Sequence, residues 1–429
     1  MKRGTRHDSP ASHRSHDQAP SAHPGADGKK GWITRKLGEV CTTIQDGAHE
    51  SPQKQFDTPA KGRFLYITSK NIRTNYLDLN NVSYVEQDFH DRIYPRCQPS
   101  VGDVLLTKDG VNTGNVTLNT IAEPFSLLSS VCLIKTNPTV LEPAFLCYYI
   151  QSPDGLKSIT GQMTGMAIKR IILHDIKLAT IPVPPLPEQQ RIVRILDSAF
   201  EGIATAKANA EKNLQNARAI FESHLNAVFT KRGGGWVEKS LEQLGTTQTG
   251  STPKTSERDN YGDFIPFIKP ADFNKDGSVN YNSDGLTKRG LSKARKVAAG
   301  SVLMVCIGAT IGKCGYCERD ITTNQQINIL TPLNGVSHRF IFYQMLTEDF
   351  QRRVLLSSGQ ATLPIINKSK WSALTVTLPP NPEEQNLIVA QFDALSAETQ
   401  HLESIYQQKL VALERLKKSL LHQAFSGEL

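Results

Sequence analysis

The sequence lacks the features of a membrane or secreted protein. Among its 429 residues, no apolar run approaches the roughly 20 residues that a membrane-spanning helix needs. The first residues carry no apolar core of a secretory signal, and the seven cysteines are scattered and odd in number. This cysteine usage disfavours a disulfide framework and favours reduced thiols. We therefore expect a cytoplasmic protein without a membrane anchor.

Sequence motifs of base-modifying and nucleotide-hydrolysing enzymes are also missing. An enzyme that holds a flipped adenine should carry an Asn/Asp-Pro-Pro-aromatic tetrapeptide, and none occurs in the chain. The glycine-rich run 308–314 has one residue too few between its glycines for a phosphate-binding P-loop, and it ends in cysteine. These absences argue against a methyltransferase or an NTPase.

Two weaker chemical patterns remain. Asp154, Asp175 and Lys177 match the two acids and one lysine that could hold Mg²⁺ in a nuclease, although the second half of the chain does not repeat them. Cys314 and Cys317 form a lone C-x-x-C pair, whereas structural zinc takes four ligands. We interpret the cysteines as buried residues of a strand and turn, and we predict no metal site.

Charge and composition say little more. The net charge is +8 and the sequence pI is about 9.0, which modestly favours a polyanionic partner. Residues 1–31 are rich in histidine, proline and basic residues and nearly free of apolar ones, so we predict a disordered tail.

A duplicated motif is the main signal in the chain. Residues 184–193 read PPLPEQQRIV and residues 379–389 read PPNPEEQNLIV. An offset of 196 residues superposes Gln189 on Gln385, and the preceding segments match more loosely, with Trp32 and Trp236 at their starts. A repeat of this length predicts a pseudo-symmetric molecule with a bipartite partner or ligand.

The order of the repeat is globular unit, helix, globular unit, helix. Short alternating apolar runs separated by loops predict an α+β unit with a mostly antiparallel sheet at 32–185 and again at 233–380. Long heptad-like patterns predict helices over 186–232 and 381–429. The fold class is therefore α+β, with two pseudo-repeated units separated by two long helices.

The two helices are expected to pack on each other as an antiparallel coiled coil. The second carries a bulky seam and the first a small, alanine-rich one, and large side chains need room to enter. Antiparallel packing would place one globular unit at each end of the rod. The candidate residues for the coiled coil and for docking another subunit are Ile192, Val193, Leu196, Ile203, Phe221, Ile388, Val389, Phe392, Leu402, Leu413, Leu416, Leu420 and Phe425. Of the off-seam positions, Val193, Phe221, Leu410 and Phe425 are expected to be exposed.

Polar, glycine-rich loops follow the strongest strand of each unit, at 108–115 and 308–313. Further candidates are 164–170 with its counterpart 359–364, and 248–254. Small hydrogen-bonding side chains can reach base edges while Lys and Arg hold phosphates, although ordinary turn chemistry would produce similar sequences. The candidate DNA-binding residues are Lys70, Lys108, Asn112, Thr113, Asn115, Lys169, Arg170, Thr249, Ser251, Thr252, Lys254, Lys269, Lys313, Gln360 and Thr362.

With both copies of the motif considered, residues 32–429 resemble the specificity subunit of Type I restriction–modification systems. The resemblance rests on the runs 184–193 and 379–389 and on the closing residues 420–429, LLHQAFSGEL. It implies that the globular units are target recognition domains, each reading one half of a split, asymmetric DNA sequence. It also implies that the helices fix the spacing and dock two methyltransferase subunits.

The same resemblance implies how chemistry is divided in the complex. The methyltransferase subunits would methylate adenine N6 with S-adenosylmethionine, and restriction subunits, where present, would use ATP and Mg²⁺ for cleavage. This chain would be non-catalytic and would bind no cofactor itself. Two other functions stay open on the residues alone: a coiled-coil scaffold that binds proteins through its globular ends, and a self-sufficient nuclease.

Overall fold

The computed structural model describes residues 31–161, 170–231, 233–359 and 363–429. The chain divides into two compact units. Unit 1 comprises the described residues of Met1–Ala204 together with Glu414–Leu429, and unit 2 comprises those of Thr205–Leu413. The chain passes from one unit to the other within each of its two long helices, so both helices contribute to both units.

Unit 1 is built on an antiparallel four-stranded sheet of order β2-β10-β7-β8, with a smaller sheet of order β6-β3-β9 beside it. The pair β3 and β9 is parallel, and the other pairs in these two sheets are antiparallel. Its elements are β1 (Ile33–Lys36), α1 (Leu37–Val40), β2 (Cys41–Asp46), β3 (Arg63–Ile67), β4 (Ile72–Arg73), β5 (Tyr76–Leu77), β6 (Ser83–Glu86), α2 (Gln87–Ile93), β7 (Val104–Thr107), β8 (Val116–Leu118), β9 (Ser126–Leu127), β10 (Val131–Thr136), α3 (Pro143–Gln151), α4 (Pro153–Thr160), α5 (Leu173–Leu178), β11 (Thr180–Val183) and the start of α6 (Leu186–Lys231).

Unit 2 repeats this plan with a sheet of order β13-β20-β17-β18 and a second sheet of order β15-β14-β19-β16. The shared sheet order confirms the duplication predicted from the sequence and the α+β class. Its elements after α6 are β12 (Val237–Ser240), α7 (Leu241–Leu244), β13 (Gly245–Thr249), β14 (Tyr261–Ile268), β15 (Gly285–Leu286), α8 (Lys288–Leu291), β16 (Lys296–Val297), β17 (Ser301–Val305), β18 (Cys314–Cys317), β19 (Ile321–Thr323), β20 (Ile327–Pro332), α9 (His338–Met345), α10 (Glu348–Ser357), α11 (Lys368–Ser372), β21 (Thr375–Leu378) and α12 (Pro382–Ser426).

The central strand of each unit is apolar on both faces because it lies between two cores. In β7, Val104 and Leu106 belong to the core that includes α3, while Leu105 packs into the core under the smaller sheet. Successive side chains of a strand point to opposite faces, so a strand covered on both sides needs a continuous apolar run. Strand β17 does the same in unit 2, where alternate residues enter two cores.

Within unit 1, the first turns of α6 run antiparallel to the last turns of α12. Arg191 Nη2 donates a hydrogen bond to the Leu429 carbonyl oxygen at 2.5 Å, and further along α6 the Lys417 ammonium lies 5.2 Å from the centre of the Phe200 ring. Residue numbers rise in one helix as they fall in the other. The antiparallel pairing predicted from the two seams is therefore confirmed in this unit.

The same direction of pairing holds within unit 2. Arg218 forms an ion pair with Glu403 at 3.1 Å, and the ring of Phe229, further along α6, lies 5.7 Å from that of Phe392, nearer the start of α12. The pairing brings the aromatic side chains of Phe229 and Phe392 into the core of unit 2.

The buried stripe drifts away from the predicted heptad positions toward the C-terminal part of each helix. Ile220 lies four heptads after the predicted seam residue Ile192, and Leu416 four heptads after Ile388, but their side chains are 52% and 47% exposed. Leu421 and Leu225 are buried in their place. An α-helix has 3.6 residues per turn, so a strict 3.5-residue repeat drifts by about 20° per heptad unless the helices supercoil. The assignment of Leu416 to the buried seam was wrong for this reason.

Candidate nucleic-acid interface

A rigid hairpin tip follows β7 in unit 1. Residues 108–115 turn through two glycines, Gly110 and Gly114, each with a φ of 95°, a conformation that other residues rarely adopt. The Thr113 hydroxyl donates to the Gly110 carbonyl oxygen at 2.6 Å, and the Gly114 amide donates to the Thr107 carbonyl oxygen at 2.8 Å. Both hydrogen bonds join residues of the hairpin itself, and they hold the tip in one conformation.

Side-chain amides connect this tip to the turn between β3 and β4. Asn112 Nδ2 donates to the Ser69 carbonyl oxygen and Asn115 Nδ2 donates to that of Ile72, both at 3.2 Å. The Ser69 amide in turn donates to Ser130 Oγ, in the turn between β9 and β10, at 3.2 Å. The predicted DNA-binding residues Asn112 and Asn115 therefore tie the tip to the segment 69–72, and the Ser69–Ser130 bond ties that segment to the turn between β9 and β10.

These loops border an open cleft of about 480 Å³. Hydroxyl side chains are among its lining residues, and the predicted residue Lys70 lies at its exposed edge, where its ammonium donates to Ser83 Oγ at 3.0 Å. Hydroxyl and ammonium donors in an open cleft suit phosphate oxygens. The lining residues are Ser51, Pro52, Gln55, Tyr66, Thr68, Ser69, Lys70, Asp109, Gly110, Leu128 and Ser130.

Lys108 does not belong to this surface, contrary to the prediction. Its side chain is 3% exposed, and its ammonium lies 3.1 Å from Asp46 Oδ2. Arg96 Nη2 approaches the other oxygen of Asp46 at 2.8 Å. Burial opposes ionisation of Asp46, but the hydrogen bonds from Arg96 and Lys108 outweigh it and lower the pKa of Asp46 below its usual value. Lys108 thus balances a buried carboxylate and is not free to reach a DNA phosphate.

The other predicted basic residues of unit 1 fall at the end of the described segment or outside it. Arg170 is exposed, pairs with Asp109 through a backbone bridge, and places its Nε 3.8 Å from Asp109 Oδ2. It therefore lies beside the hairpin tip. Lys169 lies outside the described residues.

Unit 2 carries an equivalent tip after β17. Gly308 and Gly312 have φ values of 93° and 86°, as their counterparts in unit 1 do. Lys313 is exposed, and its ammonium donates to the carbonyl oxygens of Pro270 and Phe273 at 3.3 and 3.0 Å. The side chain is thereby held in one direction while its charge stays at the surface. The nearby predictions Gln360 and Thr362 lie outside the described residues.

Side-chain hydrogen bonds hold the segment at and after the end of β13, together with backbone bonds from Gly250 to Ile327 and from Ser251 to Thr323. Thr249 Oγ1 donates to Asn328 Oδ1 at 2.7 Å, Thr252 Oγ1 donates to Gln325 Oε1, and Ser251 Oγ accepts from the Arg295 amide at 2.9 Å. The three hydroxyls predicted to contact DNA are therefore engaged within the protein and shape the segment.

Two predicted lysines of unit 2 differ in their surroundings. Lys254 is exposed at the end of this segment. Lys269 pairs with Asp284 at 2.7 Å, both side chains being close to half exposed. A carboxylate at this distance offsets the attraction of Lys269 for a phosphate, so Lys254 is the stronger candidate of the two.

Arg295 was missed by the sequence reasoning. Its guanidinium donates to the Thr249 carbonyl oxygen at 2.6 Å, in addition to the backbone bond to Ser251. It thereby fixes the predicted DNA-binding segment from 46 residues away in sequence. The only available signal was its place in the basic run 293–296, and that pattern does not reveal a distant backbone partner.

Equivalent positions of the two units carry different side chains. By strand register, the places of Asp46 and Lys108 in unit 1 are taken in unit 2 by Thr249 and Cys306. The buried ion pair of the first unit is therefore absent from those positions of the second. The scaffold is repeated, but the polar groups beneath the loops are not.

The duplicated motif fastens each long helix to its unit. Gln189 is fully buried, and its Nε2 donates to the carbonyl oxygens of Val140 and Pro184, both at 2.8 Å, while its Oε1 accepts from the Glu142 amide at 2.9 Å. Gln385 makes the same three bonds. Its partners are the carbonyl oxygens of Gly335 and Pro379 and the amide of Ser337. Only a side chain that both donates and accepts can do this.

Two of the residues predicted to dock another subunit face the chain's own cores instead. The side chain of Phe425 is 3% exposed and packs edge-on against Phe145 and Tyr149 in unit 1. Phe221 is half-buried in unit 2, with its ring 6.4 Å from that of Phe392. The expectation that both are exposed was wrong, because the seam drift turns them inward.

The enzyme-like patterns gain no support from the fold. Cys314 and Cys317 lie buried in β18 with free thiols, and burial raises the pKa of Cys314 to about 12 and that of Cys317 to about 11. Within the described ranges, no group of three or more His, Cys, Asp and Glu side chains is arranged to hold a metal ion. Among those residues, no helix is both long enough and apolar enough to cross a bilayer.

Comparison with known proteins matches both halves of the chain to one family. The model of the Type I restriction modification DNA specificity domain matches residues 29–215 and 233–411. The HindI specificity subunit of Haemophilus influenzae is 29% identical over 46% of this chain and 42% of that protein, less than half its length. The putative MjaX specificity subunit of Methanocaldococcus jannaschii is 22% identical over 93% of each chain.

A solved structure concerning complex assembly and conformational transition of the type I R-M system shares the fold, with a TM-score of 0.74 and 20% identity over 94% of this chain and 100% of that chain. These similarities give no support to a coiled-coil scaffold. The family model and the related specificity subunits confirm the resemblance carried by the duplicated motif and the role of a DNA specificity protein. Because the family model matches most of the chain in two copies, the chain belongs to the Type I restriction modification DNA specificity family.

Proposed function

We propose that the chain recognises a bipartite, asymmetric DNA sequence, with each unit reading one half. The observation that carries this proposal is the repeated scaffold with unlike loops: both units end their central strand in a glycine-braced tip, yet the side chains on and beneath the tips differ. Two recognition units with different side chains suit two different half-sites, whereas two identical units would suit a palindromic site.

We further propose that the chain recognises the DNA sequence and that partner subunits catalyse the reactions. Two methyltransferase subunits would dock on it and methylate adenine N6 with S-adenosylmethionine. Restriction subunits, where present, would add ATP- and Mg²⁺-dependent cleavage. The chain itself would be non-catalytic, bind no cofactor and act in the cytoplasm. The two long helices pack on each other, and each is anchored by a buried glutamine. They would hold the two docked subunits at a fixed distance from each other.

The deciding experiment is a methylome. The chain would be co-expressed with a candidate methyltransferase subunit from the same genome, and N6-methyladenine would be mapped by single-molecule sequencing. We expect a split, non-palindromic motif that disappears when the chain is omitted. A stable complex of the two proteins that methylates no defined motif would contradict the proposal.

A further inference from the structure

The hairpin tip of unit 1 presents one apolar side chain to solvent. Val111 lies at its apex and is 102% exposed, as open as a residue can be. A single exposed apolar residue is ordinary on a protein surface and means nothing alone. Its setting is less ordinary, because the residues on either side of Val111 are held by hydrogen bonds.

The backbone that carries Val111 is fixed before any ligand arrives. Thr113 and Asn115 close the tip through bonds to Gly110 and Asn112, and the Asn112 side chain ties it to the neighbouring turn. A loop ordered in advance does not lose that freedom on binding, so its apex can contribute fully to affinity and specificity. Val111 is therefore a preorganised apolar contact.

The surroundings of Val111 indicate what it contacts. The cleft beside its loop includes several hydroxyl side chains and Lys70, whose hydrogen-bond donors suit phosphate oxygens. Among the groups that DNA exposes in the major groove, the C5-methyl of thymine is the apolar one. A branched side chain next to phosphate-binding groups matches that methyl.

We propose that Val111 packs against the C5-methyl group of one thymine in the half-site that unit 1 reads. This inference rests on the proposed function and names one specificity-determining contact within it. The corresponding residue of unit 2 is Ala309, which is exposed but has a smaller side chain. The two tips would thus differ in how strongly they select thymine.

The test uses the complete chain in complex with its methyltransferase, on duplexes containing the motif found by the methylome. Each thymine of the motif is replaced in turn by uracil, which lacks only the C5-methyl. For one thymine we expect uracil to weaken binding by the wild-type complex roughly three- to tenfold, as the removal of one or two buried methyl groups should. The Val111→Ala complex should bind thymine DNA similarly weakly and should not be weakened further by uracil.

Val101→Ala is the matched control. Val101 is 63% exposed and precedes β7, whereas Val111 follows it, so the same substitution is made near the opposite end of one strand. It should leave both affinity and the response to uracil unchanged. The inference fails if Val111→Ala responds to every uracil as the wild type does, if Val101→Ala weakens binding equally, or if neither half-site contains thymine. A complex with no sequence preference at all would instead overturn the proposed function, and this inference with it.

Discussion

At the scale of single residues, Asp46 joins elements that are distant in the sequence. It lies at the end of β2, and it receives Lys108 from the hairpin tip and Arg96 from the segment before β7. Two charges removed from water are costly unless they are paired and hydrogen-bonded. The ion pair of Asp46 and Lys108 therefore holds the first residue of the hairpin tip in one arrangement. The tip's geometry therefore depends on a carboxylate that it does not contain.

We predict a pH-dependent loss of stability in Asp46→Asn. At neutral pH the variant leaves Lys108 buried without its counter-charge, and we expect a cost of about 2–4 kcal/mol in the free energy of unfolding. The pKa of Asp46 is lowered in the folded state. Its stabilisation is therefore complete above the unfolded pKa of about 3.9 and is lost as pH falls through the folded value.

Urea unfolding at neutral and strongly acidic pH would measure this effect. The gap between wild type and Asp46→Asn should narrow as the pH falls below about 4. Asp57→Asn, at an exposed position of the same unit, is the control and should change little at either pH. A gap of equal size at both pH values would show that the charge on Asp46 is not what stabilises the loop.

We also predict that Lys254→Ala weakens DNA binding in a salt-dependent manner. Removing one phosphate contact should reduce the slope of log affinity against log salt by about 0.9. Lys239→Ala removes the same charge from an exposed position of β12, outside the tip loops, and serves as the control. Binding titrations of the two complexes at several salt concentrations would test this. Equal slopes for both variants would remove Lys254 from the interface.

The residue scale is where prediction from sequence was weakest. The pattern of polar residues after the central strand correctly located the tip loops, but it could not tell an inward lysine from an outward one. Lys108 turns inward because Asp46 lies across the sheet, and that neighbour exists only after β2, β10 and β7 have paired. Lys70 and Lys254 look no different from Lys108 in the sequence, yet both are exposed.

At the scale of elements, the buried glutamines explain why the motif is repeated. Gln189→Ala would leave the amide of Glu142 and two carbonyl groups without their partner, and we predict a loss of about 2–3 kcal/mol in the free energy of unfolding. Gln190→Ala, at an exposed position one residue on, should cost less than about 0.5 kcal/mol. Denaturant unfolding of both variants would make the comparison.

The glutamate variant gives a sharper version of the same experiment. Gln189→Glu keeps the shape and the acceptor but cannot donate to Val140 and Pro184 when ionised, so it should also destabilise unit 1. Gln385→Ala should repeat the effect of Gln189→Ala in unit 2. A neutral effect of Gln189→Ala would mean that the motif is kept for another reason.

The sequence predicted the bounds of the two long helices well, but it predicted less well which of their side chains are buried. Periodicity placed Ile192 and Phe392 correctly in the buried stripe, because both lie near the ends where each helix meets its unit. Extending a strict heptad from those points put Leu416 on the buried side, where the structure exposes it. Over many turns, small differences between 3.5 and 3.6 residues per turn accumulate, and sequence alone does not say how much the helices supercoil.

At the scale of the whole molecule, the proposed reading of two half-sites implies that the long helices act as a ruler, which means that their length sets the distance between the half-sites. Contacts within unit 2 and unit 1 bracket a stretch of α6 and α12: Arg218 with Glu403 on one side, and Phe200 with Lys417 on the other. Residues 206–212 and 407–413 lie between these contacts. Removing both sets shortens the two helices by the same two turns.

We predict that this matched double deletion shortens the DNA spacer without changing either half-site. Seven residues correspond to about 10.5 Å of helix, or up to about 3 base pairs of duplex, and they leave the helical phase within about 20° of its starting value. Deleting only 206–212 would instead shift one seam against the other and should disrupt assembly with the methyltransferase. Methylome sequencing reads out both results at once. The original spacer persisting in the double deletion would contradict the ruler, while altered half-sites would show that the helices also shape the reading loops.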